Sequence, residues 1–124
     1  MQWLSASATL SALTGCATGP SARARSAGKV VVIGGGYSGA TAAKYLKLWG
    51  PSIEVTLVEP NPVFISCPLS NRVLAGTMKL EELTVPYDKL ANHGVKIVRD
   101  AALAIDPGKR QVRLVQGGTL SYDR

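Results

Sequence analysis

Three glycines, one glutamate and one cysteine are the residues whose types and spacing could do chemistry. Gly34-Gly35-Gly36-Tyr37-Ser38-Gly39 satisfies the pattern G-x-G-x-x-G, and Glu59 follows Gly39 by 20 residues. In such a pattern the first glycine permits a tight turn out of a strand. The second removes the side chain where backbone must approach a pyrophosphate, and the third lets a helix pack closely on the strand. The N-terminus of that helix offers free N–H groups and partial positive charge to the phosphates. An acidic side chain about 20 residues further on is placed to accept hydrogen bonds from the adenosine ribose hydroxyls. Its charge also disfavours a 2′-phosphate, which argues against an NADP-type ligand.

The elements that must position these residues are legible around them. Lys29-Val30-Val31-Val32-Ile33 is a short β-branched run of the kind buried on both faces of a parallel sheet. Ala40 to Trp49 is built of helix formers, with Ala43 keeping the strand contact small, and Gly50-Pro51 closes it. Ile53 to Val58 is a second strand ending at Glu59. A lone G-x-G-x-x-G is weak, and its alternative is a chance glycine turn in a structural βαβ unit. Strand, glycines, helix, second strand and terminal acid in this order point to a bound dinucleotide. The expected fold class is α/β: a Rossmann-like dinucleotide-binding βαβ unit with a parallel sheet and a small antiparallel β-meander, incomplete as a domain.

Composition excludes several function classes. The 124 residues allow one domain with a modest core. The net charge is +6, but Lys44, Lys47, Arg72, Lys79, Lys89, Arg99, Lys109, Arg110 and Arg113 are scattered. No basic run interleaved with aromatics is present, so no nucleic-acid partner is expected. Cys16 and Cys67 have no metal-type spacing, and His93 lies in Asn92-His93-Gly94, a helix-terminating turn. No metal site is expected from this inventory.

Residues 1–28 read as an export-signal remnant and a disordered linker, set apart from a folded unit over 29–124. Leu4 to Ala17 is small, apolar and uncharged, too short for a membrane span and close to the h-region of an export signal. A positive n-region is missing from Met1-Gln2-Trp3, so either a charged start, such as a twin-arginine one, is lost or the segment is an ordinary tail. Leu13-Thr14-Gly15-Cys16 matches the pattern that precedes a lipidated cysteine. The expected location is periplasmic, with membrane association only through lipidation at Cys16.

The glycine fingerprint does not by itself separate FAD from NAD. Its position at the start of the folded part favours FAD, as in flavoproteins with two dinucleotide domains. The stretch after Glu59 is more telling: Pro60 to Gly76 reads as an irregular loop entering a short helix, not an immediate third parallel strand. Lys29 to Gly36, Gly39 to Leu46, Ile53 to Asn61 and above all Ser66-Cys67-Pro68-Leu69-Ser70-Asn71 resemble the flavoprotein subunit of flavocytochrome c sulfide dehydrogenase. That family lies within the pyridine nucleotide-disulfide oxidoreductase superfamily, and the resemblance runs from about Lys29 to Arg124.

The resemblance implies FAD as cofactor and Cys67 as its covalent anchor, through a thioether to the flavin 8α carbon. The alternative for Cys67 is a small buried hydrophobe. It also implies that Gly34, Gly36, Ser38 and Gly39 hold the pyrophosphate, that Glu59 holds the ribose, and that backbone at Asp100-Ala101-Ala102, Ala102 in particular, meets the adenine. In the parent protein it implies sulfide as substrate, attack on a cysteine disulfide, reduction of FAD and one-electron delivery to a c-type cytochrome subunit. A sulfide:quinone or NADH:quinone oxidoreductase and a non-catalytic nucleotide-binding fragment are the alternatives.

The remaining elements are short. Leu80 to Leu83 and Pro86 to Asn92 read as helical pieces, the second opened by Pro86, and Val95 to Val98 reads as the next parallel strand. Ala104 to Asp106, Gln111 to Val115 and Thr119 to Tyr122 form a meander joined by Pro107-Gly108 and Gly117-Gly118. In the family, Tyr122-Asp123 leads into another buried strand. The redox cysteine pair and second dinucleotide-like domain would lie downstream, so the chain is expected to be an N-terminal fragment, inactive alone and without catalytic residues of its own.

Overall fold

The computed structural model describes residues 26–124; the expectations for residues 1–25, Cys16 included, lie outside the described residues, while Gly28, read as the end of the linker, opens the first strand. β1 (Gly28–Ile33), α1 (Tyr37–Trp49) and β2 (Ile53–Val58) form the βαβ unit, and β5 (Lys96–Val98) continues its sheet. β1 pairs with β2 in parallel from Gly28↔Ile53 to Ile33↔Val58, and β2 pairs in parallel with β5 from Thr56↔Lys96 to Val58↔Val98. The strand order β1-β2-β5 puts β2 in the centre, which is why Val55, Leu57 and Val58 are its buried residues.

Alternation along the strands assigns each face of the sheet a cover. Val32, Val55 and Leu57 pack with Ala43 of α1, Tyr87 and Val95. Val31, Val58 and Val98 pack on the opposite side with Val112, Leu114, Leu120 and Tyr122. The second cover is the meander β6 (Ala102–Asp106), β7 (Gln111–Leu114) and β8 (Thr119–Ser121), antiparallel throughout. Each fully buried valine or leucine in these layers contributes about 1.5–3 kcal/mol. The parallel sheet and the meander both match the sequence reading.

Past β8 the chain lies along the outer edge of β1. Asp123 N–H and Arg124 N–H donate to Lys29 O, and Val31 N–H donates to Arg124 O at 3.2 Å. These bonds have the parallel-ladder pattern, with Val30 opposite Arg124. Asp123 Oδ2 adds a bond from Lys29 N–H at 2.7 Å.

Two segments depart from the sequence reading. The loop after Glu59 contains β3 (Val63–Ile65), which pairs antiparallel with β4 (Thr84–Pro86), Phe64 facing Val85. Pro86 therefore ends a strand and does not open a helix; α3 spans Asp88–Asn92. A proline lacks only the N–H and is tolerated at the end of a two-stranded ribbon. Three-residue strands separated by the 18 residues 66–83 leave no periodicity to read. Between them lie α2 (Ser70–Leu74) and a 3-10 turn at Leu80–Leu83.

Candidate functional site

The C-terminal ends of β1, β2 and β5 lie side by side, and each delivers one part of the site. Gly34 N–H donates to Val58 O at 2.9 Å, and Glu59 N–H to Val98 O at 3.0 Å. Gly34 turns out of β1 with φ +90°, a left-handed backbone that other residues adopt at a cost. A crevice at the carboxyl ends of parallel strands is where ligands bind in open α/β sheets.

The three fingerprint glycines have different surroundings. A Cβ on Gly39 would stand 1.9 Å from Gly34 O and 3.4 Å from a Val32 methyl, so its absence brings α1 onto the strand and its turn. Gly36 is the residue before α1, with φ −64° and ψ −174°, a conformation open to any residue. A Cβ there would meet nothing within 4 Å. The protein itself gives no packing or backbone reason for a glycine at 36; the space beside it is left free at the helix N-terminus. Ser38 sits exposed in the first turn of α1. A pyrophosphate therefore fits these residues: close backbone approach at Gly36, helix N–H donors behind it and a small hydroxyl beside it.

Glu59 is buried, 7% exposed, and turns back toward the glycines. Its Oε2 accepts a hydrogen bond from Gly35 N–H at 2.7 Å. Its Oε1 accepts from Asn61 N–H at 2.9 Å and from the Asn61 amide at 2.7 Å. Burial alone would raise this carboxyl. The three donors, with the Arg99 charge, outweigh it and hold the pKa below its ordinary value. A carboxylate has about four acceptor positions, so one remains on Oε2 for a hydroxyl. A cleft of about 450 Å³ is lined by Gly36, Glu59, Asn61 and Tyr87, joining the open glycine to the acid.

Tyr87, Asn61 and Arg99 complete this site and were not singled out from the sequence. Tyr87 is buried, and its hydroxyl donates to Gly35 O at 2.9 Å. Burial, then the Glu59 charge, push this phenol above its ordinary pKa against the opposing Arg99 charge, so it remains a donor. The Arg99 guanidinium lies 5.0 Å from the Tyr87 ring centroid and donates to Asn61 O and Pro62 O. The one trace of Tyr87 in the sequence is the extra glycine at position 35, where the fingerprint admits any residue.

Cys67 lies between β3 and α2 and is exposed, so within this chain it is not a buried packing residue. Its neighbours are held: Ser66 N–H donates to Leu83 O at 2.9 Å, and Ser70 N–H to Cys67 O at 3.0 Å. The Ser66 hydroxyl is hydrogen-bonded to Tyr37 in the first turn of α1, and Tyr37 stacks edge-on against Phe64. The cysteine thus follows directly on a residue tied to the start of the glycine-capped helix. A second cleft, about 340 Å³ and mainly apolar, is lined by Gly36, Tyr37, Phe64 and Ser66 on the same side.

Ala102 opens β6 opposite Leu114, beyond the end of β5. The preceding Ala101 is engaged on both sides, its N–H by Asp100 Oδ1 at 2.7 Å and its carbonyl by Val115 N–H at 3.0 Å. Among the described residues no group of His, Cys, Asp and Glu could hold a metal ion. No helix among them is long and apolar enough to cross a membrane.

Residues 28–124 match the family described as pyridine nucleotide-disulphide oxidoreductase. The chain belongs to that family. It is 60% identical over 45 residues to the sulfide dehydrogenase [flavocytochrome c] flavoprotein chain of Chlorobaculum thiosulfatiphilum, a match covering 36% of this chain and 94% of that sequence. It is 32% identical over 95 residues to the sulfide-quinone reductase of Aquifex aeolicus, covering 76% of this chain and 22% of that protein. The X-ray structure of the sulfide:quinone oxidoreductase from Aquifex aeolicus superposes with a TM-score of 0.73 at 31% identity, over 77% of this chain and 22% of that one. The chain thus spans under a quarter of the quinone-linked relative. Family and relatives support a flavin cofactor and a flavin-dependent oxidoreductase.

Proposed function

We propose that this chain is the FAD-binding N-terminal part of a periplasmic sulfide dehydrogenase flavoprotein, which oxidises sulfide and passes electrons through FAD to a c-type cytochrome subunit. The observation that carries the dinucleotide part is the open space at Gly36 in one cleft with the Glu59 carboxylate. Gly34, Gly36, Ser38 and Gly39 would hold the pyrophosphate, Glu59 the ribose, and backbone near Ala102 the adenine. Flavin, when bound, supplies the two-electron to one-electron conversion the reaction needs.

The choice of sulfide and cytochrome is supported by the 60% identity to the flavocytochrome c flavoprotein chain. Cys67 would carry the covalent link to the flavin; its exposure and its place next to Ser66, which is hydrogen-bonded to Tyr37 at the start of α1, support this role. A quinone-linked enzyme is the second reading, favoured by the longer match to the sulfide-quinone reductase.

The test uses the full-length gene product and its Cys67→Ser variant, acid-precipitated and assayed for flavin in pellet and supernatant. Flavin retained in the pellet only when Cys67 is present, with sulfide-dependent reduction of a c-type cytochrome, is the expected result. Complete release of flavin, with sulfide-dependent reduction of a quinone instead, would place the protein with the quinone-linked relatives.

A further inference from the structure

Gly35 is held from two sides by side chains outside the glycine motif. Its N–H donates to Glu59 Oε2 at 2.7 Å, and its carbonyl accepts from the Tyr87 hydroxyl at 2.9 Å. Both bonds are buried, and they span 24 and 52 residues of chain. The two peptide units flanking Gly35 therefore cannot rotate without breaking one of them. The next residue in the chain is Gly36, the open glycine at the start of α1.

The identity of residue 35 follows from the same contact. Gly35 does not have a left-handed backbone, so conformation alone would admit alanine. A Cβ at this position would instead stand 2.4 Å from the Tyr87 hydroxyl and 2.6 Å from two of its ring carbons. The tyrosine ring is in turn covered by Arg99, whose guanidinium also ties down the carbonyls of Asn61 and Pro62. Asn61 returns to the other oxygen of Glu59. The result is a closed circuit: Gly35, Tyr87, Arg99, Asn61, Glu59 and back to Gly35.

We propose that Tyr87 is a positioning residue for dinucleotide binding: through its bond to Gly35 it fixes the glycine turn in the pyrophosphate-receiving geometry before any ligand arrives. The proposal rests on the dinucleotide-binding reading above. Tyr87 acts on the phosphate-facing backbone, whereas Glu59 faces the ribose, so the two contributions separate by ligand. A preorganised turn strengthens binding by removing the ordering cost that a free turn would carry. Tyr87→Phe keeps the ring and its Arg99 cover and removes one donor. The expected loss is about tenfold in affinity, which corresponds to about 1.4 kcal/mol.

The experiment uses the full-length protein in a Cys67→Ser background, so that flavin can be removed and exchanged. Dissociation constants for ADP and for adenosine are measured by titration calorimetry, with thermal midpoints on the same samples. Tyr87→Phe is expected to weaken ADP about tenfold and leave adenosine within about twofold. Gly35→Ala, which pushes the tyrosine hydroxyl away, is expected to give the same pattern and serves as the second variant if the first does not fold. Equal losses for both ligands, or unchanged binding with a lowered thermal midpoint, would make Tyr87 an ordinary core residue and overturn the proposal. A parent protein that binds neither ADP nor FAD would instead overturn the dinucleotide reading itself.

Discussion

Glu59 at the end of β2 accepts a hydrogen bond from Gly35 N–H, 2.7 Å away, in the turn that follows β1. This bond crosses between adjacent parallel strands just beyond their carboxyl ends, where the ladder has no further pairs to offer. It places a negative charge behind the glycine turn while one acceptor position stays available to a ligand hydroxyl. The same carboxylate therefore serves the fold and the site, and substitutions around it should separate the two roles.

Gly36→Ala separates them most cleanly. Its backbone suits alanine, and the added methyl meets no protein atom within 4 Å. Chemical denaturation should show the ligand-free protein changed by less than about 1 kcal/mol. The methyl would occupy the space reserved for the ligand, and calorimetry should show ADP or FAD binding weakened by about 1–3 kcal/mol. An unaffected affinity would mean that the pyrophosphate does not approach at this residue.

Gly39→Ala should act on the fold instead. The new Cβ would stand 1.9 Å from the carbonyl oxygen of Gly34, a backbone atom that cannot swing aside. Relief requires α1 to lift from β1, and Ala43 and Leu57, both wholly buried, would lose their packing. A cost of about 3 kcal/mol or more is expected. Circular dichroism melts and soluble yield would check it, with or without flavin present.

Glu59 gives the protein a specific acid sensitivity. Its folded pKa lies below the ordinary value of 4.5, so the stabilisation is complete above that value. It disappears as the pH falls through the lowered folded value. Glu59→Gln removes an ionised acceptor of three hydrogen bonds and should cost about 2 kcal/mol at neutral pH. The difference between parent and variant should narrow on acidification. Urea titrations from about pH 3 to pH 7 would show it; parallel curves across that range would mean that Glu59 ionisation is not linked to folding.

Arg99→Ala tests the outer part of the circuit. Arg99 is exposed, so the loss of its stacking on Tyr87 should cost less than about 1 kcal/mol. Removal of its charge should let the Glu59 pKa rise toward the ordinary value. The acid limb of the stability profile should then move to higher pH, the direction opposite to any stabilising change. An unmoved acid limb would show that the Asn61 and Gly35 donors alone set the Glu59 ionisation.

Much of this protein was determined by local chemistry. The β-branched run 29–33, the glycines at 34, 36 and 39 and the acid at 59 specify a strand, a turn, a helix and a second strand through contacts close in sequence. Each of these elements formed where the residue types require it. The meander was legible for the same reason: its strands are neighbours joined by short turns. Tertiary structure alone decided what lies far apart in the chain. It paired Val63–Ile65 with Thr84–Pro86, and it brought Tyr87 onto Gly35 and Arg99 over Tyr87. A tyrosine in the turn before a short helix carries no mark of the carbonyl it will bind 52 residues away. That contact exists because α3 packs beside α1 on one face of the sheet, and only the packing of that face sets which buried hydroxyl meets which turn.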